Sequence, residues 1–547
     1  MVDHTDLCDN FFVTQDSVGR SRAEVATALL LEMNPDVAGQ AIKGAPSAYV
    51  QKLCEEPALL KQYALVIASQ LDLTSAISLG NVCHKYDVPL MWLRASGLMG
   101  AIRTSVRCHC VVETKGDREI RDLRITEPFS ELAAYCKEKN LDEMENMDHG
   151  HVPWLVLHIK ALEIFQAHHG GEEGRIPKTR AEKDEFKNIL RGMRRKEGEM
   201  NFEEALDNHF VSYSKYEVPD GIGKVLDCVA DKSALFRLKE EGALTPFWLV
   251  AAALSRFKNA TQGKLPLSGR IPDMHADTQS FVGLQQTFAA RAQGDMSAIY
   301  AHLDEIAFEL GESARMNHQN PFVSKEYVEN FCKNALQAEV FGTRSIEEEY
   351  SVESYAGEGS GEEAREAFAE ALGDDSSTVS TYLAFWAAER FRTRQGRFPG
   401  DLSVYPPGQE HEESLLEEDK NEVMKELREI LSHLMVEEEM LNRPFGVVEG
   451  DGEEGEANGA ADPDSMQDTG EGVPAETPQK YLEKAVREVV RGGGAEIHVT
   501  AAYFGGVASQ EAVKLITRQY QPVLGTFAWD GNFPRGSVVD FLRPAVP

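Results

Sequence analysis

One stretch of the chain has the spacing of a phosphate-binding loop, Gly450-Asp451-Gly452-Glu453-Glu454-Gly455. Glycines at those intervals let a backbone wrap a pyrophosphate when a strand precedes them and a helix follows. Here the intervening residues are all carboxylates and no helical pattern follows, so a phosphate would be repelled. Metal chemistry has two candidates. In Cys108-His109-Cys110, alternation along a strand sends the two sulfurs to one face and the imidazole to the other, so the three cannot share an ion and a structural strand is expected. His149 and His151 precede Pro153-Trp154, but no acidic or cysteine partner lies at a suitable spacing, and a loop role is expected for them. No GxxxxGK followed by Ser or Thr, no HExxH and no GxSxG occurs. The eight cysteines show no CxxC spacing and none has the surroundings of an activated nucleophile. Each reads as a core residue or a surface thiol, in a reducing compartment.

The glycine pair Gly505-Gly506 in the segment Tyr503–Thr517 reads as a site of close helix packing, because bare backbone can approach a neighbour. Val507, Val513, Leu515 and Ile516 are expected to form the buried surface of that helix, with Gln510, Glu511 and Lys514 in solvent.

The elements around these residues follow from composition and periodicity. A chain of 547 residues is long enough for two to four domains. Ninety Asp and Glu against fifty-six Lys and Arg leave a formal charge of −34, which argues against nucleic acid and anionic membrane and in favour of protein partners. Met1–Phe12 has no apolar core and reads as no signal peptide. The longest apolar runs, Val152–Ile159 and Phe247–Leu254, fall well short of the roughly 20 residues that a membrane span needs. Helical spacing over Ser21–Met33 and Leu73–Tyr86, with apolar strands at Ala64–Ala68 and Pro89–Leu93, predicts a doubly wound α/β sheet with parallel strands. From about Thr126 the pattern turns helical. The GR-x-P turns at Gly174, Gly269 and Gly396 divide it without a fixed period, so it is no solenoid. Residues 419–441 carry Val423, Leu427, Ile430, Leu431 and Leu434 on one helical stripe. No Lys or Arg occurs between Arg443 and Lys480, and that acidic, Gly-rich stretch is expected to be disordered. Helical spacing resumes over Tyr481–Val490, and Thr526–Asp530 and Val538–Leu542 read as short strands. The expected division is therefore 1–125 and 480–547 as two halves of one α/β domain, 126–445 as a helical insertion and 446–479 as an acidic loop.

Several segments resemble ubiquitin-activating enzymes and their relatives. Ser17-Val18-Gly19-Arg20-Ser21-Arg22-Ala23-Glu24-Val25-Ala26 is similar to the segment that follows an Asn-Arg-Gln-Phe element in that superfamily, and Tyr503–Thr517 resembles the last helix of its adenylation domain. In adenylating members the upstream element supplies an arginine to the ATP phosphates. Here Asp9 of Leu7-Cys8-Asp9-Asn10-Phe11-Phe12 stands at that place, and a carboxylate has the wrong sign for an anionic transition state. The large helical insertion, together with Ser96-Gly97-Leu98-Met99-Gly100, His151-Val152-Pro153-Trp154, Ser268–Met274, Phe331-Cys332-Lys333-Asn334 and Glu496-Ile497-His498-Val499, resembles the regulatory subunits of the heterodimeric neddylation-activating enzymes. Met1-Val2-Asp3 resembles that family's second strand, so a first strand, a glycine loop and an arginine-bearing element are expected upstream of it.

That resemblance implies an inactive adenylation fold without catalytic, cofactor or metal residues of its own. ATP and magnesium are expected on a catalytic partner subunit that also carries the nucleophilic cysteine, with a ubiquitin-like modifier held between the two subunits. It further implies a partner surface at Phe331, Cys332, Lys333, Asn334 and Arg344, and a cytoplasmic and nuclear location. The alternative readings are the partner subunit of a SUMO-type activating enzyme and a non-enzymatic helical adaptor.

Overall fold

The computed structural model describes residues 1–4, 6–114, 122–172, 174–311, 323–401, 412–445 and 476–541. The chain forms two compact units, one made of Met1–His109, Phe341–Thr517 and Pro522–Pro547, the other of Cys110–Val340 and Arg518–Gln521. The strands are β1 (Val66–Ser69), β2 (Leu90–Ser96), β3 (Met99–Ser105), β4 (His109–Val111), β5 (Glu339–Phe341), β6 (Gly525–Asp530) and β7 (Arg535–Val539). Five of them make one sheet in the order β1-β2-β3-β6-β7, and β4 pairs with β5.

The sheet is mixed. β1 and β2 run parallel, joined by the crossover helix Leu73–Lys85, which buries Leu73, Ala76, Leu79 and Cys83 at helical spacing. Beyond β2 every pairing is antiparallel, beginning with a two-residue turn at Gly97-Leu98, where Gly97 takes φ +59°. β1 is an edge strand whose residues are only half-buried, with Ile67 52% exposed, so Ala64–Ala68 is not the fully buried strand that its apolar run predicts. Met1-Val2-Asp3 forms no strand; Val2 is buried against Val13 and Val25 in a small satellite core.

The two faces of the sheet are covered differently. Leu90, Trp92, Met99, Ala101, Ala528 and Val539 point into a large core shared with the helices Val379–Gln395, Glu412–His433 and Pro478–Gly492. The Leu482, Val486, Val489 and Val490 spacing of the last of these is buried as the sequence predicts. Met91 and Ile102 point the other way, against Phe504, Ala508 and Leu515 of the helix His498–Thr517. Helices within 341–445 thus belong to the sheet unit. The helical second unit ends at Val340 rather than at 445, because Tyr382, Leu383 and Trp386 bury themselves over the sheet. The acidic loop expected at 446–479 lies outside the described residues as far as 475.

The second unit is built on Trp154–His168, Arg180–Met193, Met200–Asp207, Pro246–Ala260 and Thr278–Glu309. Trp154, Phe165, Phe186, Phe202 and Phe288 lie in its buried core. No helix among the described residues is long and apolar enough to cross a membrane.

Candidate functional site

Open α/β sheets bind ligands in the crevice beyond the carboxyl ends of their parallel strands, where a following helix presents its N-terminal N–H groups and positive dipole end. In this chain that place lies at Ser69-Gln70 after β1 and at Ser96 after β2. It is occupied by the protein itself. The Gln70 amide donates to the carbonyls of Ala95 (2.8 Å) and Gly494 (2.9 Å), and its oxygen accepts from Ala95 N (3.2 Å). Ser69 Oγ donates to Glu496 Oε1 at 2.8 Å, and Gly97 N donates to Ala495 O at 3.1 Å.

Ser96 and Gly97 are clamped onto the end of the helix Pro478–Gly492. Ser96 Oγ donates to Val489 O (2.8 Å), Leu98 N to Glu488 Oε1 (2.8 Å), and Thr500 Oγ1 to Gly97 O (2.7 Å). The run Gly492-Gly493-Gly494 makes the approach possible. A Cβ on Gly492 would meet Ser96 Oγ and the Gly97 backbone, one on Gly494 would meet the Phe398 ring, and Gly493 takes φ +57° as the helix ends.

The N-terminus of the helix Leu73–Lys85, the anion pole of the crevice, is taken by two carboxylates. Asp72 accepts from Ser75 N at 2.9 Å, and Glu389, reaching from the helix Val379–Gln395, accepts from Leu73 N at 3.2 Å. Glu389 is 3% exposed, and burial holds its carboxyl above the usual range against the pull of Arg94 and Arg392. Arg392 lies 3.7 Å from it and also donates to Gln70 O at 3.1 Å. Arg94 is buried with its guanidinium 4.0 Å from the Trp92 ring centroid and 5.4 Å from that of Tyr350. A phosphate entering here would face Asp72 and Glu389 on donors that are already used.

The residues expected to form a partner surface are divided between the two units. Phe331, Cys332 and Asn334 are buried in the second unit: Phe331 sits 5.2 Å from the Phe247 ring, and Asn334 Nδ2 donates to Asn330 O at 3.0 Å. Of that group only Lys333 is exposed. Arg344 belongs to the sheet unit, where its carbonyl accepts from Arg103 Nη2 at 2.9 Å. Gly505 and Gly506 do not make the expected close contact. They lie mid-helix on the exposed side, with nothing within 4 Å of an added Cβ. The helix is rotated from the predicted phase, burying Thr500, Phe504, Ala508, Glu511 and Leu515 while Val513 and Ile516 are 57% and 55% exposed. Glu511 can be inside because it accepts from Val523 N and Lys514 Nζ, each at 2.6 Å.

The remaining candidates are structural. His149 is buried, its Nδ1 3.1 Å from Glu199 Oε1 and its ring stacked on Phe202. That acidic neighbour is 50 residues away, beyond any local spacing rule. His151 stacks on His275. His109 and Cys110 are buried in β4. Burial pushes the Cys83, Cys136 and Cys332 thiols up to about 12, the opposite of the shift that makes a nucleophile. The Asp9 side chain lies outside the described residues.

A mixed sheet between helical layers, with the crevice beyond β1 and β2 filled by the chain's own residues, is consistent with an adenylation-type architecture, and the ThiF family model matches residues 1–540. The NEDD8-activating enzyme E1 regulatory subunit AXL of Arabidopsis thaliana is 30% identical over 530 residues, which are 96% of this chain and 86% of that protein. Regulatory subunits of the same enzyme from Danio rerio (28% identical, 96% of this chain and 85% of that protein) and Caenorhabditis elegans (27%, 99% and 89%) are similar along the same length. The chain belongs to the ThiF family and, within it, to the NEDD8-activating enzyme E1 regulatory subunits.

Proposed function

We propose that this chain is the non-catalytic, regulatory subunit of a heterodimeric NEDD8-activating enzyme. In this reading the catalytic partner subunit binds ATP with magnesium. The modifier's C-terminal carboxylate is adenylated there and passed to the partner's cysteine thiol. This chain supplies dimer surface and one wall of the cleft that holds the modifier, in the cytoplasm and the nucleus. The observation that carries the reading is the carboxylate of Glu389 on Leu73 N: the helix terminus that would greet a phosphate carries a buried acid of the chain's own. The raised thiols fit a subunit that does not form the thioester. The names of the relatives favour NEDD8 over the SUMO-type alternative.

The test is modifier-dependent ATP–pyrophosphate exchange. The purified chain alone is expected to show none, and adding the catalytic subunit is expected to establish it. An obligate pair of this kind buries roughly 2,000 Å² or more, so the complex should survive moderate salt on a sizing column. Robust exchange by the isolated chain would overturn the proposal.

A further inference from the structure

The second unit holds a cavity of about 580 Å³, within the size range of ligand pockets. Its apolar walls include Leu123, Trp154, Phe210, Tyr216 and Leu336. The charges at its base satisfy one another. Arg124, buried and held at φ +51°, donates from Nε to Asp122 Oδ2 (2.6 Å) and from Nη2 to Leu265 O (2.7 Å), with its guanidinium 5.0 Å from the Tyr216 ring centroid. Glu127 is paired with Lys264 at 2.9 Å. The charges at the mouth are different. Lys215 and Glu217 both line the cavity, both are exposed, and among the described residues neither enters a hydrogen bond or an ion pair. Beside them Phe210 is left 60% exposed. A largely exposed aromatic ring at the lip of an apolar cavity, in edge contact with His209, is the kind of group that anchors protein contacts, and a strained, buried arginine marks a segment whose shape is held by its surroundings.

We propose that this cavity is a docking site for a linear peptide of a partner protein, a bulky apolar residue entering between Trp154, Phe210 and Tyr216. An acidic residue on one side of that anchor meets Lys215 and a basic residue on the other meets Glu217. Opposite charges two residues apart around an apolar opening, Lys215 also within reach of the Glu127 carboxylate, complement three or four consecutive residues of extended chain.

The probe is the acetylated, amidated peptide Asp-Leu-Phe-Lys with a fluorine on its aromatic ring, titrated with the full chain and followed by fluorine line width. Saturable broadening is expected. Phe210→Ala should weaken it about tenfold, and Lys215→Glu about threefold. Both side chains are exposed, so the fold should persist, which a thermal melt verifies. The double exchange Lys215→Glu with Glu217→Lys should turn the preference to the reversed peptide Lys-Leu-Phe-Asp. Absence of broadening at millimolar chain and peptide, or broadening that Phe210→Ala leaves unchanged, would overturn the site. Equal binding by free fluorophenylalanine would assign the cavity to a small zwitterion and overturn the peptide reading.

Discussion

Gly492-Gly493-Gly494 and Gly505-Gly506 sit a short way apart in the sequence, the first at the end of one helix of the sheet unit and the second in the middle of the next, yet they do opposite things. In the first group a Cβ would strike Ser96, the Gly97 backbone or Phe398. In the second it would meet nothing within 4 Å. The difference is where the helix stops. Gly493 and Gly494 take positive φ at the end of Pro478–Gly492, and the turn aims the backbone into the crevice beyond β1 and β2. Gly505 and Gly506 are inside a continuing helix, on the side away from the sheet. A glycine pair in a sequence announces freedom of the backbone; only its phase relative to the buried stripe says whether that freedom is used.

The strongest way to break this comparison is Gly492→Val. A branched side chain would have to enter backbone at Gly97, so a loss of about 4 kcal/mol or failure to fold is expected. A melting temperature within a degree of the parent would show that the crevice is looser than described.

Glu389→Ala tests the same crevice from the side of its charge. It leaves Leu73 N without its acceptor and removes the anion beside buried Arg94 and Arg392, which should cost about 3 kcal/mol. Glu389→Gln, which keeps an acceptor, should lose less. Equal melting temperatures for the two variants would mean that the carboxylate does not hold the helix terminus.

What the sequence disclosed and what it withheld have separate causes. β2, the crossover helix and Pro478–Gly492 were legible because continuous apolar runs and the spacing of Leu482, Val486 and Val489 depend only on local periodicity. The phase of His498–Thr517 was not, since Glu511 counts as a surface residue until Val523 N and Lys514 are seen beside it. The end of the second unit was hidden for a similar reason. Val379–Gln395 is buried on nearly every side from Val379 to Glu389, polar residues included, so its sequence shows no single apolar stripe to reveal which core it joins. The filled crevice depends on Glu389, Arg392 and Gly494 reaching Gln70 and Leu73 across hundreds of positions of chain; the only local hint was the triple glycine itself.

A pH measurement probes the second unit locally. His158, buried in the second unit between Ser212 Oγ and Ala205 O (2.8 Å each), has its pKa lowered from 6.5 to about 4 by burial. A folded-state value below the unfolded one means that the neutral ring favours folding. Its stabilisation is complete above pH 6.5 and is lost as pH falls towards 4, up to about 3 kcal/mol at 1.36 kcal/mol per unit. Hydrogen exchange should therefore speed in Trp154–His168 between pH 6.5 and 4.5, after correction for intrinsic rates, and His158→Gln should flatten that dependence. An unchanged profile in the variant would assign the acid sensitivity elsewhere.

The smallest effect falls on the other glycine pair and has the opposite sign. Gly506 is exposed, helical and free of neighbours, so Gly506→Ala removes unfolded-state entropy without meeting any atom. A gain of about 0.5 to 1 kcal/mol is expected from helix propensity alone. Gly506→Val should gain less, because a β-branched side chain gives up rotamer freedom in a helix, but it should still fold. Measured in the isolated chain by thermal melt, a loss of several degrees for the valine variant would restore the close-packed reading of Gly505-Gly506. If both variants keep their stability alone but lose the catalytic subunit on a sizing column, the bare side of the helix would instead be part of the dimer surface, and its glycines would be serving a neighbour in another chain.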